Sequence, residues 1–373
     1  AAASSIWGAR AANGVIVITT KNSKFNQPFS LEFTANTTLS SKPDLGYSRQ
    51  MRSTDFIDVE MELFKKGYYD SDINSPNHPV LTPVVDLLNK EKQGAISHDD
   101  AMRQIDRLRT IDVRDQYKKY MYRPLENKQY ALNLSGGSPQ LAWTSFIGYD
   151  DNIGNLEEKY QRLNTRFQTT WSPFEKLTIT TGVFFTNTHS KSGRSAYNSV
   201  TMKGNWKIPY LEFADEQGNP LVVNSNFNQN YKNSLQGSGL LDWNYYPLTD
   251  WQHNVSKNDT NEIIINTGIN YKLFKGLEAD VKYQYQRLNG QSSTLYDEES
   301  YNGRNLINSF AQRNQDGSIK FIIPKGGILT KGNTQTSINN LRGQLNYNRV
   351  FGRHSISALA GGEIRKTVTE YEN

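Results

Sequence analysis

The sequence predicts an all-β protein, an antiparallel transmembrane β-barrel of which about nine strands lie within these 373 residues. Two observations carry this prediction. Apolar and polar residues alternate through segments of roughly ten to thirteen residues, and the connections between these segments are alternately long and short. The placement of aromatic residues near the ends of the segments adds a third observation.

The alternation is clearest in residues 277–287, where every second residue is apolar. Leu277 and Val281 fall on one side of an extended chain, and Glu278 and Lys282 fall on the other. A period of two is typical of a strand whose two faces meet different surroundings. Segments of this kind predict nine strands, near residues 29–39, 130–135, 141–149, 160–171, 177–187, 263–273, 277–287, 341–347 and 355–364.

The connections between the predicted strands decide between two kinds of sheet. Alternation alone fits a soluble sandwich, whose apolar face is the core, as well as a barrel, whose apolar face meets lipid. A sandwich or a propeller has no reason to place every long connection at one end, so the pattern favours an up-and-down barrel with long outer loops and short periplasmic turns. The long connections cover about residues 40–126, 150–159, 189–258 and 291–335, and the short ones lie at 136–139, 172–176, 274–276 and 351–354.

Aromatic residues fit this orientation. Because aromatic rings favour the membrane interface, they form two belts on a barrel. The alternative explanation is the high strand propensity of Tyr and Phe. The predicted belts contain Trp171, Tyr271 and Tyr347 at the periplasmic side and Phe185, Tyr283 and Tyr285 toward the outer side.

The first long connection also contains helix signals. A helix is predicted from the Ser53-Thr54-Asp55 start to a stop at Gly67, and a second from Thr82-Pro83 to Gly94. Ser97-His98-Asp99-Asp100 resembles a capping box that opens a third helix, 101–109. We expect these helices to pack on the outer rim of the barrel. A separate helical domain inserted between strands is the alternative.

Composition excludes several classes of protein. The net charge is +5, from 42 basic and 37 acidic residues without a dense basic stripe, so nucleic acid is not an expected partner. There is no cysteine, which excludes disulfides and thiolate chemistry. No apolar run approaches the roughly 20 residues of a membrane-spanning helix. The sequence contains no recognisable catalytic, cofactor or metal motif, and the protein is therefore expected not to be an enzyme.

Residues 1–21 carry a family resemblance. A run of small residues is followed by Trp7-Gly8-Ala9-Arg10, by Ala12-Asn13-Gly14 and by an apolar strand that ends at Thr19-Thr20-Lys21. This segment resembles the end of the plug domain of TonB-dependent outer-membrane transporters, and more narrowly that of the SusC/RagA family. Residues 132–138 resemble the first periplasmic hairpin of the same family. The alternative for residues 1–21 is an edge strand of a soluble domain.

The resemblance implies a domain organisation. Residues 1–24 would be the end of a plug domain, and residues 25–373 the first part of a 22-stranded barrel in the bacterial outer membrane. Since the sequence has no initiator Met or signal peptide, we expect it to be a piece of a longer polypeptide.

The resemblance also implies a function: TonB-dependent import of an oligosaccharide or peptide too large for porins. The implied partners are a SusD-like surface lipoprotein, outer-membrane lipid, and TonB through a segment absent here. No cofactor is implied. Two other hypotheses remain: a passive porin or structural outer-membrane barrel, and a soluble β-rich glycan-binding protein.

Two sets of residues are candidates for function. Trp243, Tyr245, Tyr246 and Trp251 lie among amides and hydroxyls in the third long connection, a combination that suits the capture of a glycan or peptide. The alternative is that these rings pack against their own loop or a partner. Arg10 is the second candidate, because an unpaired guanidinium inside the lumen would be costly. We expect it to pair with Glu262, Glu278 or a carboxylate on another strand.

Overall fold

The computed structural model describes residues 24–202 and 205–372, and its main feature is one antiparallel sheet of nine strands in sequential order. The nine predicted strands are confirmed. A two-stranded ribbon, β8 (Gln312–Arg313) with β9 (Ile319–Lys320), lies apart from the sheet. The sheet contains β1 (Ser30–Ser40), β2 (Leu125–Gly137), β3 (Leu141–Ile153), β4 (Lys159–Phe174), β5 (Leu177–Lys191), β6 (Asn254–Phe274), β7 (Leu277–Tyr296), β10 (Ile328–Phe351) and β11 (His354–Glu372).

The register gives the sheet one apolar and one polar face. Residues directly opposite each other in an antiparallel pair lie on the same face. One row across four strands is apolar, and a neighbouring row on the other face consists of amides with one glycine. The apolar row is Phe167, Val183, Ile265 and Tyr285, and the polar row is Gln168, Gly182, Asn266 and Gln284. The sequence alternation therefore corresponds to two continuous surfaces, which we call the apolar face and the polar face.

The apolar face has a limited height. In β7 it extends over nine residues, from Leu277 to Tyr285, and the next residues on the same side are Arg287 and Asn289. The strands nevertheless continue, and β10 reaches 24 residues. Each long strand thus carries an apolar belt beside the short turns and a polar extension toward the long connections.

The four short connections lie at the end of the sheet opposite the long ones, as predicted, because each strand is antiparallel to the next. The turn after Phe274 needs a positive φ, which Gly276 adopts at 95°. A Cβ there would lie 2.7 Å from the carbonyl oxygen of Asn348, so glycine also permits close approach of β10. Two of the predicted belt residues, Trp171 and Tyr271, lie beside these turns.

The boundaries of the long connections differ from the prediction. They cover residues 41–124, 154–158, 192–253 and 297–327, so the predicted 150–159 loop is only five residues long. The predicted loops around 189–258 and 291–335 also lose residues to strands. The sequence pattern misses these strand extensions because both of their faces are mainly polar and their scattered apolar residues, such as Leu288, Leu295 and Ile338, do not alternate, while backbone hydrogen bonding continues. Because β7 extends past the apolar belt, Tyr283 and Tyr285 lie midway along the strand. They occupy the end of the belt that is farther from the short turns.

The predicted helices of the first connection are present. Thr82 and Ser97 cap two of them, accepting hydrogen bonds from the backbone N–H groups of Val85 and Asp100. Within the described ranges, no helix combines the length and the apolar character that crossing a membrane requires. The helices are α1 (Ser53–Lys65), α2 (Asp70–Ile73), α3 (Pro83–Lys92), α4 (His98–Arg109), α5 (Val113–Gln116, continued by a π turn at Tyr117–Met121), α6 (Gln229–Ser234), α7 (Pro247–Asp250) and α8 (Tyr301–Ser309).

The helices of the first long connection share a hydrophobic core with the third connection. We call this assembly, together with the packed part of the fourth connection, the loop layer. The sequence predicted helices on the rim but not this shared core, since residues of the third connection show no helical period. Fully buried core residues include Ile57, Val84, Ile105 and Tyr117 from the first connection and Ile208, Tyr210 and Phe213 from the third.

Candidate functional site

The polar face of the sheet is held by hydrogen bonds between side chains of adjacent strands. Asp150 of β3, which is 8% exposed, accepts from Arg162 Nε of β4 at 2.8 Å and from Gln129 Nε2 of β2 at 3.1 Å. A buried carboxylate is tolerated here because a cation and an amide both donate to it. This face is therefore an ordered polar surface.

A second network lies closer to the short turns. Asp280 of β7 accepts from Asn270 Nδ2 at 2.9 Å and from Asn346 Nδ2 at 2.7 Å, which links three strands. Arg342 and Gln344 extend the chain of contacts along β10, with Arg342 Nη2 donating to Gln344 Oε1 at 2.6 Å. These side chains form a connected polar network across the sheet.

The two carboxylates predicted to receive Arg10 also lie on the polar face. Glu262 Oε1 accepts from Gln286 Nε2 at 2.6 Å, and Glu278 Oε2 accepts from Asn270 Nδ2 at 3.4 Å. Neither carboxylate has a cationic partner among the described residues. Arg10, together with the whole plug segment 1–23, lies outside the described residues, so its pairing stays a prediction.

The four aromatic candidates occupy separate places in the loop layer. Trp243 is half-buried, and its Nε1 donates to Asn305 Oδ1 of α8 at 2.8 Å. Its ring meets Phe227 edge-on, with the centroids 4.9 Å apart. Trp243 thus joins the third connection to the fourth.

Tyr245 and Trp251 also have contacts within the loop layer. The Tyr245 ring lies 5.1 Å from that of Tyr301, and burial raises the pKa of its hydroxyl to about 12. Trp251 Nε1 donates to the carbonyl of Leu248 at 3.1 Å, and the Arg194 guanidinium lies 5.1 Å from its ring centroid. These contacts hold both rings in place and leave part of each accessible.

Tyr246 is the candidate that lines an open cleft. The cleft, about 640 Å³ in volume, lies between the third and fourth connections. Burial raises the pKa of Asp250 at this site, and the Asp250 carboxylate accepts from the backbone N–H of Tyr301 at 2.6 Å. Carboxylates and the Arg304 guanidinium share the lining, but the guanidinium already pairs with Asp242 at 3.0 Å, so the lining suits a polar or cationic ligand. Its residues are Leu241, Tyr246, Thr249, Asp250, His253, Glu298, Glu299 and Arg304.

Sequence reasoning missed Glu60, the most deeply buried carboxyl group of the loop layer. It is 3% exposed and accepts a hydrogen bond from the hydroxyl of Tyr210 in the third connection. Burial raises its pKa to about 7, although hydrogen bonds from Tyr210 and Thr82 act in the opposite direction. One signal was available: Glu60 lies at helical spacing from Phe56 and Phe64, on the apolar stripe of α1.

Ion pairing also fastens the first connection to the third. The two terminal guanidinium nitrogens of Arg107 donate to the Glu212 carboxylate at 2.7 Å, a bidentate arrangement between α4 and the third connection. Val113 N–H donates to the carbonyl of Pro209 at 2.7 Å close by. The loop layer is therefore one packed unit, in which segments distant in sequence fix each other's positions.

Comparison with known proteins identifies the fold. A scan against protein-family models gave no match, and a search of curated proteins gave none. Among solved structures, this chain matches the RagAB peptide importer in its "open-open" state with a TM-score of 0.64 and 16% sequence identity. The match covers 100% of this chain and 38% of that chain.

Two further structures give the same result. The "closed-closed" state of the RagAB peptide importer matches with a TM-score of 0.62 and 15% identity, over 98% of this chain and 38% of that one. A structure of the RagAB peptide transporter matches at 0.64 and 16%, again over 98% and 38%. The chain thus has the fold of part of a transporter and spans about 38% of the length of the structures it matches.

Proposed function

We propose that this chain forms the end of the plug and the first part of the barrel of a TonB-dependent outer-membrane importer. Its cargo is an oligosaccharide or a peptide too large for porins, and a SusD-like surface lipoprotein caps the loop layer. The protein acts by transport and not by catalysis.

The observation that carries this proposal is the apolar belt. In β7 the belt is nine residues high, from Leu277 to Tyr285, with its centre at Val281, which is 45% exposed. A barrel strand needs about 9–11 residues to cross the apolar part of a bilayer. An exposed apolar surface that continues from strand to strand is unfavourable in water and favourable in lipid.

The other surfaces support a transport role. The polar face opposite the belt suits a lumen, because its carboxylates and amides are arranged for hydrogen bonding. All long connections lie at one end, where they build a packed layer with clefts. In this orientation the loop layer is extracellular, and it is the surface that cargo and cap protein meet first.

Two observations support one of the two cargo classes. The matched structures are a peptide importer and a peptide transporter, and the Tyr246 cleft presents carboxylates that suit the positively charged groups of a peptide. We therefore propose peptide as the first cargo to test and oligosaccharide as the second.

A passive porin or structural barrel is the alternative from a different class. The resemblance of residues 1–21 to a plug favours the importer, because a constitutively open pore has no use for a plug. Import by a TonB-dependent transporter requires TonB, whereas passage through a porin does not. The experiment tests this difference.

The experiment is uptake of a defined peptide mixture by cells that express the full-length protein, with and without TonB. We expect uptake to stop when TonB is removed, while the amount of protein in the outer membrane stays constant. Uptake that continues unchanged without TonB would show passive passage instead. A parallel measurement with oligosaccharides separates the two cargo classes.

A further inference from the structure

Glu60 lines a pocket that the proposed function does not use. The pocket has a volume of about 520 Å³ and lies between α1, the segment after it, and the third connection. Its rim is accessible, since Tyr68 is 59% exposed and Trp206 is 40% exposed. The lining is otherwise mainly apolar or aromatic, and includes Met51, Phe56, Val59, Leu63 and Tyr69.

In the part of the chain that the structure describes, the hydrogen-bond partners of this carboxyl group are neutral. The Tyr210 hydroxyl donates to Glu60 Oε2, and the Thr82 hydroxyl adds a second hydrogen bond. Among the described residues Glu60 has no ion-pair partner. Lys207 also lines the pocket but forms no ion pair with Glu60. A carboxylate buried without a cation is destabilised, and a cation that reaches it relieves this cost.

The rest of the lining suits the stem that would carry such a cation. Aromatic faces attract ammonium and guanidinium groups, and apolar walls pack against the methylene stem of a lysine or arginine. We propose that this pocket binds the side chain of a lysine or arginine from another polypeptide, with Glu60 as the counter-ion. All residues that line this pocket belong to the loop layer, so binding there can be measured whether or not the protein is a transporter.

Binding of a cation has a consequence for pH. The ammonium pairs with the ionised form of Glu60, so binding displaces the proton that the buried carboxyl otherwise holds near neutral pH. The other titratable groups around the site are Tyr69 and Tyr210, whose pKa values burial raises above their usual range, and Lys207 and Tyr68 at the rim. Because the raised pKa values of Tyr69 and Tyr210 keep both hydroxyls neutral, affinity should rise between pH 6 and pH 8 through Glu60.

The test uses the purified full-length protein in detergent and two matched probes. Nα-acetyl-lysine amide carries the ammonium, and Nα-acetyl-norleucine amide has a similar apolar stem without it. We expect the lysine probe to bind about tenfold more tightly than the norleucine probe at pH 8. Glu60→Gln keeps an acceptor for Tyr210 and should remove this preference.

Glu62→Gln is the control, since Glu62 lies on the same helix but pairs with Lys66 at the surface. This variant should retain the preference for the lysine probe. Equal binding of the two probes by the unmodified protein would overturn the proposal. So would a preference that persists in Glu60→Gln, because the counter-ion would then lie elsewhere. Neither result depends on whether the protein imports peptides.

Discussion

The Tyr210 hydroxyl donates a hydrogen bond to the buried carboxyl group of Glu60 from a position 150 residues further along the chain. This contact joins helix α1 of the first long connection to the third connection, inside the core that both share. The sheet is built from contacts between neighbouring strands, whereas the loop layer depends on long-range contacts of this kind.

The stability of the loop layer should fall as pH rises toward neutrality. The pKa of Glu60 is about 7 in the folded protein against 4.5 for an ordinary Glu, so the folded state holds a proton that the unfolded state releases. The stabilisation is complete below pH 4.5 and is lost as pH rises through 7. Its magnitude is on the order of 3 kcal/mol.

Hydrogen exchange of residues 53–65, corrected for the intrinsic pH dependence of exchange, measures this effect. We expect protection to decrease from pH 5 to pH 8 in the unmodified protein and in Glu62→Gln. Glu60→Gln cannot ionise and should show no such decrease. The same decrease in all three proteins would assign the pH dependence to another group.

The sheet was predictable from the sequence because its two faces have different environments. Val281 and Lys282 follow each other in β7 and lie on opposite faces, so an alternating pattern was visible. The extension of β7 beyond Tyr285 was not predictable, because its residues are mainly polar on both faces and its few apolar residues do not alternate. The helical spacing of Glu60 on the apolar stripe of α1 indicated its burial, but the sequence could not show its partner, because Tyr210 comes from a segment without regular structure.

The aromatic candidates were only partly predictable. Composition pointed to the third connection, but spacing could not show that Trp243 bonds to Asn305 in the fourth connection or that Tyr246 lines a cleft. These positions follow from loop packing, for which a sequence contains no periodic signal.

Replacing Trp243, Tyr245, Tyr246 and Trp251 together by Ala should reduce uptake or cap association at least about tenfold. The belt of the sheet does not include these residues, so the resistance of the folded protein to heat in detergent should not change. Uptake by cells and co-purification of the partner measure the effect. Unchanged uptake together with unchanged co-purification would show that the four rings serve only the packing of the loop layer.

Single variants separate contact with the cargo from packing of the loop layer among these four aromatic residues. Tyr246→Ala should weaken uptake, because Tyr246 lines the open cleft. Trp243→Phe removes the bond to Asn305 but keeps a ring beside Phe227, at a local cost of about 1 kcal/mol. It should therefore affect uptake less than Tyr246→Ala does, and the reverse order would place the cargo contact at Trp243.

Arg10 should be coupled to Glu262 or Glu278 on the polar face. Removing the guanidinium leaves a carboxylate without its cation, which destabilises the protein. Removing both partners leaves no unpaired charge and avoids this destabilisation. In a double-mutant cycle of Arg10→Met with Glu262→Gln, and separately with Glu278→Gln, one pair should show a coupling energy of at least about 1 kcal/mol. Protease sensitivity of the plug is the measurement. Additive effects in both cycles would exclude Glu262 and Glu278 and leave a carboxylate on another strand as the partner, and a structure with Arg10 in bulk solvent would rule out any such pairing.

The most direct measurement is the assembly of two lysine variants in the outer membrane, scored by heat-modifiable migration of the full-length protein. Val281 and Gln284 lie three residues apart in β7, on the apolar and polar faces respectively. If the apolar belt meets lipid, Val281→Lys places a charge near the midplane, at a cost of roughly 2–4 kcal/mol, and assembly should fail. Gln284→Lys should assemble normally. Equal assembly of the two variants would contradict a membrane-spanning wall.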